Sequence, residues 1–146
     1  MTPKQIKGEI PADDLRKDIW AMYDTMLAAA LTNTAFMVLD RPNPISGMHA
    51  FGPVLDERFS SYVGRRAIAQ AHGMTAGELA KMFVGEGWIR EATNGSELAL
   101  EVVKMDGWRR EMMWVDTGLP WVMPSPSTLG YSSTSGLRNG GYLDAD

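Results

Sequence analysis

Between Asp14 and Ala30 the apolar positions are Leu15, Ile19, Met22, Met26, Leu27 and Ala30. Steps of 4, 3, 4, 1 and 3 residues put them on one stripe of a 3.6-residue helix, so this span is expected to be helical. Asp13 and Asp14 suit its N-terminal end, where side-chain oxygens cap free N–H groups and oppose the helix dipole. Thr32-Asn33-Thr34 breaks the pattern, and Ala35 to Leu39 reads as a short buried strand. That strand stops at Asp40-Arg41-Pro42-Asn43-Pro44. The two prolines fix φ and push Arg41 and Asn43 towards extended conformations, giving a stiff corner.

From Arg41 to Ala71 no period emerges, and Gly47, Gly52, Pro53 and Gly64 punctuate the stretch. An irregular segment of this length in a compact domain is expected to be a functional loop, or to hold elements that the pattern does not reveal. Thr75 and Glu78 then have the spacing of a capping box. Leu79, Met82 and Phe83 form the inward stripe of a second helix that Gly85 and Gly87 end. Leu98 to Met105 reads as a second strand, Trp108 to Val115 as an edge strand or irregular rim, and Asp116 to Pro126 as a rigid loop. Residues 127–146 carry Ser, Gly, Leu and Tyr without period and are expected to be a disordered tail. The order α–β–long loop–α–β is the rhythm of βαβ units around a parallel sheet. It supplies fewer strands than a doubly wound domain needs. An incomplete α/β unit is expected, one that belongs to a larger domain or pairs to finish its sheet.

Composition narrows the functions. At 146 residues the chain holds one domain at most. A net charge of −4 without a Lys/Arg cluster argues against a nucleic-acid surface. The absence of cysteine removes disulfides, thiolate nucleophiles and Cys-based metal sites. No apolar run approaches the roughly 18 residues of a membrane span, and Met1 to Ile10 lacks the apolar core of a signal peptide. The compartment stays open.

Asp40, Arg41 and Asn43 fall just past the carboxyl end of the first strand, where the loops of α/β sheets form ligand crevices. The planar fork of Arg41 suits a ligand carboxylate, with surface ion pairing as the alternative. Asp40 can act as an acid or base, accept from a ligand hydroxyl, or partner Arg41 in a structural corner. His72 precedes a helix N-terminus, whose dipole favours the neutral ring. Such a ring can hydrogen-bond a ligand, relay a proton, or simply fix its own turn. Glu78 is explained by the capping box alone. Trp88, Trp108 and Trp121 are candidates for stacking on a flat ligand face, Trp121 foremost because it stands between prolines. His49 and His72 lie 23 residues apart without a ligand cluster, so no metal is expected. Ser125 sits in Pro-Ser-Pro rather than on a nucleophile elbow. No G-x-G-x-x-G follows a strand, so no nicotinamide or flavin is expected.

Five motifs stand in a telling order: Val38-Leu39-Asp40-Arg41-Pro42-Asn43-Pro44-Ile45, Gly52-Pro53-Val54-Leu55, His72-Gly73-Met74-Thr75-Ala76-Gly77-Glu78-Leu79-Ala80, Met105-Asp106-Gly107-Trp108-Arg109-Arg110, and Thr117-Gly118-Leu119-Pro120-Trp121-Val122-Met123-Pro124-Ser125-Pro126. Together, over about residues 18–126, they resemble the exo-β-N-acetylmuramidase (NamZ-like) glycoside hydrolases, long catalogued as a domain of unknown function. The resemblance implies that residues 1–126 are part of a Rossmann-like, three-layer catalytic domain, with 127–146 a divergent tail. It implies removal of terminal N-acetylmuramic acid from the non-reducing end of peptidoglycan fragments, without a cofactor. The implied cleft has His72 and Asp40 in the chemistry and Arg41, Asn43, Thr75, Trp121 and Ser125 on the substrate.

Three departures accompany it. The family's Pro-Glu-His-Gly segment, expected to hold a catalytic carboxylate, is not in this chain. Asp18-Ile19-Trp20-Ala21-Met22 replaces an Arg-aromatic-Tyr-Thr-Tyr run, and Ser127-Thr128-Leu129-Gly130 replaces an Asn-containing, proline-rich stretch. The alternative is therefore a non-catalytic sugar-binding or interaction remnant. Expected partners are a carbohydrate or muropeptide and either the missing parts of the same domain or a dimer partner. Family members are often exported.

Overall fold

The computed structural model describes residues 13–44, 47–61 and 64–120. Helix α1 spans Asp13–Leu31 and leads into strand β1, Phe36–Leu39. Strands β2 (Phe51–Val54) and β3 (Ala69–Ala71) follow, with a 3-10 turn at Glu57–Phe59 between them. Helices α2 (Ala76–Gly85) and α3 (Trp88–Ala92), strand β4 (Leu100–Val103) and a 3-10 turn at Trp114–Thr117 complete the order. Trp121, Ser125 and the expected tail lie outside the described residues.

β1 and β4 pair in parallel, Phe36 beside Leu100 and Leu39 beside Val103. The intervening α2 packs on them, as a βαβ crossover requires. Val38 is buried against this helix layer, and Phe36, Leu100 and Val102 pack with it. The opposite face corrects the expectation of a fully buried strand: Met37 is 56% and Leu39 65% exposed. Strand side chains alternate faces, and among the described residues only one face of this pair is covered.

α1 is where its period placed it, but its buried face is rotated towards Trp20, Tyr23, Met26 and Ala30. Counting only aliphatic residues hid the two aromatics. Trp20 stacks on Phe83 of α2 with ring centroids 5.9 Å apart, and Tyr23 meets Phe83 edge-on at 5.2 Å. The Tyr23 hydroxyl donates to the Trp88 carbonyl at 3.2 Å, so a buried polar tip is satisfied while its ring fills the core.

The stretch from Arg41 to Ala71 is not wholly irregular. β2 and β3 pair antiparallel with a register shift between Phe51 and Val54. Gly52, at φ +88°, and Pro53 sit inside β2 and erase the alternation by which a strand is recognised. α3 is a single short turn of helix entered through Gly87 at φ +74°, too brief to show a period. Of the two expectations for Trp108 to Val115, the irregular rim is the one observed: no strand forms there, and a turn leads into the 3-10 helix.

Candidate functional site

The site starts where β1 ends. The Asp40 amide donates to the Val103 carbonyl at 3.0 Å, carrying the parallel ladder one residue further. Beyond it the Asp40 carboxylate turns onto the N-terminus of α2. Its Oδ1 accepts from the Gly77 amide at 2.7 Å and the Arg41 amide at 2.9 Å, and its Oδ2 accepts from the Thr75 hydroxyl at 3.0 Å. Thr75 and Glu78 form the expected capping box: the Glu78 amide donates to Thr75 Oγ1 at 3.2 Å, and the Thr75 amide donates to Glu78 Oε2 at 3.0 Å. At the start of α2 the Gly77 amide is thus met by Asp40, the Glu78 amide by the Thr75 hydroxyl, the Ala76 amide by the Arg41 carbonyl and the Thr75 amide by Glu78, which puts two acidic side chains at the positive end of the helix.

These contacts sort the expected site residues. Thr75 is 1% exposed and Asn43 6%, and the Asn43 amide donates to the Met74 carbonyl at 3.1 Å. Both face protein. Arg41 is exposed and lines a hollow of about 510 Å³ at the carboxyl ends of β1 and β4. Asp40, Lys104, Asp106, Trp108 and Thr117 line the same hollow. The Trp108 indole N–H is shut off from solvent and meets no acceptor among the described residues.

Lys104 and Asp106 were not picked out from the sequence. The signal was there: they follow β4 as Asp40 and Arg41 follow β1, and the strand-end rule applies to both strands of a parallel pair.

Arg110 clasps three segments beside this hollow. Its guanidinium donates to the Gly47 carbonyl at 2.9 Å and the Gly73 carbonyl at 3.2 Å, and it pairs with Glu78. It also lies over the Trp108 ring, 5.8 Å from the centroid. Gly73, at φ +66°, has the His49 carbonyl oxygen 2.6 Å from where a Cβ would stand, so the turn closes only with glycine.

His72 fixes its own turn, one of the readings the sequence offered. Its Nδ1 accepts from the Met74 amide at 3.1 Å, which places the neutral ring's proton on Nε2. Burial pushes its pKa below 6.5, and the nearby Glu78 carboxylate pulls weakly the other way. The ring lines a second hollow of about 320 Å³, between α1 and the β2–β3 arm. Arg41 and His72 therefore serve different concavities. His49 is exposed on the surface.

Comparison with known proteins agrees with the motifs. Residues 18–131 match the family model described as exo-beta-N-acetylmuramidase NamZ, N-terminal. The chain belongs to this family. It is 45% identical over 116 residues to the peptidoglycan beta-N-acetylmuramidase NamZ of Bacillus subtilis (strain 168), covering 80% of this chain and 26% of that protein. A crystal structure of a DUF1343 family protein from Bacteroides fragilis NCTC 9343 superposes with a TM-score of 0.70 at 41% identity, over 80% of this chain and 29% of that one. A second DUF1343 protein from the same organism gives a TM-score of 0.59 at 34% identity, over 66% of this chain and 26% of its own. The fold is thus the mixed α/β fold of this family, and the chain spans about a quarter of the curated relative's length.

Proposed function

We propose that this chain forms a substrate-holding wall in a peptidoglycan-directed glycoside hydrolase that releases terminal non-reducing N-acetylmuramic acid. The observation that carries the reading is the hollow at the ends of β1 and β4. It gathers two cations, Arg41 and Lys104, a carboxylate, Asp106, and an indole, Trp108. Muramic acid differs from other amino sugars by a lactyl carboxylate, and a guanidinium at the rim gives that group a planar, two-pronged partner. Trp108 offers a flat apolar surface of the kind sugar faces stack on.

Asp40, Asn43 and Thr75 act here as positioning residues. They fix the corner and the start of α2, and so the place from which Arg41 projects. Two-carboxylate glycoside hydrolysis needs an acid and a second carboxylate flanking the bond. In this hollow both oxygens of Asp40 are engaged with α2, while Asp106 has no partner among the described residues. Asp106 is the carboxylate free to meet a ligand, and the second comes from outside the described residues. Water is the co-substrate, and nothing in the reaction calls for a cofactor.

That engagement of Asp40 favours a second reading, a sugar-binding domain without turnover. Incubation with a chromogenic β-N-acetylmuramide, alongside calorimetric titration with N-acetylmuramic acid, separates the two. Release of chromophore is expected if the chain hydrolyses. Binding without release favours the second reading, and the absence of both binding and release overturns a muramic-acid site.

A further inference from the structure

The hollow that takes in His72 is separate from the one at the ends of β1 and β4, and its chemistry differs. Its walls are apolar: Trp20, Leu55 and Ile68 line it, with Val54 and Phe59 from the β2 arm. Val54 is 59% and Phe59 72% exposed, so the arm presents apolar surface to solvent. The charges at its edge are already neutralised. Asp56 accepts from the Arg58 side-chain Nε at 3.0 and 2.9 Å, and Arg66 pairs with Glu91 at 3.0 Å.

Two polar groups remain. The Nδ1 of His72 is spent on the Met74 amide, which leaves Nε2–H as a donor with no partner among the described residues. Gln70, two residues earlier and so on the same side of an extended chain, carries a side-chain amide with no partner among the described residues. A small, mostly apolar concavity with a few polar groups is the usual form of a small-molecule site.

We propose that this hollow is a second binding site, for an uncharged ligand that joins an apolar group to an amide, as in an N-acylated hydrophobic amino-acid amide. The apolar group covers Phe59 and Val54. Its carbonyl accepts from His72 Nε2–H, and its N–H donates to the Gln70 carbonyl oxygen. The site is independent of Arg41 and of muramic acid.

The test is a titration of the full chain with N-acetyl-L-phenylalaninamide, followed by amide NMR shifts, with and without saturating N-acetylmuramic acid. Saturable shifts centred on Trp20, Gln70 and His72, unchanged by the sugar, are expected. The H72N variant keeps an acceptor for the Met74 amide but loses the Nε2 donor. About five- to tenfold weaker binding with unaltered circular dichroism is expected for it. Failure to saturate, displacement by the sugar, or parent affinity in H72N overturns the proposal. So does tighter binding of N-acetyl-L-phenylalaninate, which would show an anion site instead.

Discussion

The carboxylate of Asp40 lies 2.7 Å from the backbone nitrogen of Gly77, closing the end of β1 onto the first turn of α2. A side chain at position 77 would meet Val102 Cγ1 at 2.5 Å and Asp40 Cγ at 2.9 Å. The approach of helix to sheet is therefore set by a missing Cβ.

This reverses the usual effect of replacing a helical glycine. In an isolated helix Gly77→Ala would stabilise by up to about 1 kcal/mol. Here the overpacking costs about 1–3 kcal/mol, and the added methyl also pushes Asp40 off its amide. Urea unfolding of G77A is expected to show a lower midpoint than the parent. Asp40→Ala should lose about 2–3 kcal/mol by leaving the Gly77 and Thr75 donors unmet.

Arg41 should matter for ligand and not for fold, since it is exposed. Arg41→Ala is expected to weaken N-acetylmuramic acid binding by about tenfold or more, the worth of a charge-assisted pair. Weak binding of N-acetylglucosamine, which has no lactyl carboxylate, should not change. Calorimetry with both sugars checks this, and an equal loss for both would remove the guanidinium–carboxylate pair.

His72 makes stability depend on pH. Burial lowers its folded pKa below the ordinary 6.5, so the unfolded chain binds the proton more readily. Its contribution is complete above 6.5 and falls away as the pH drops through that value towards the folded pKa. Thermal midpoints measured from pH 8 down to pH 5 should decline, and H72N should flatten the part of the decline that begins near 6.5. A slope identical in H72N would assign the decline to carboxylates instead.

The face of the β1–β4 pair that no described residue covers exposes Met37 and, paired across the sheet, Leu39 and Val103. Parallel sheets are stable when both faces are covered, and an uncovered apolar strand invites association. Leu39→Glu is expected to reduce concentration-dependent self-association in sedimentation velocity while leaving the helical circular dichroism intact.

Periodic features were legible in the chain. The stripe of α1, the apolar run of β1 and the Thr75–Glu78 box each depend on neighbours within a few residues, and each appears near its expected place. The β2–β3 pair was not legible, because Gly52 and Pro53 break its alternation and its partner lies beyond a long turn. α3 was too short to announce itself.

The site divides the same way. The sequence by itself placed Asp40 and Arg41 at a strand end and His72 before a helix, because backbone propensity and proline stiffness act locally. Only the tertiary structure decided that Asp40 and Thr75 turn inward to α2, that Lys104 and Asp106 join Arg41, and that His72 opens onto another hollow. Those choices rest on hydrogen bonds across 35 and 37 residues of chain and on a parallel register, which no short stretch of sequence encodes.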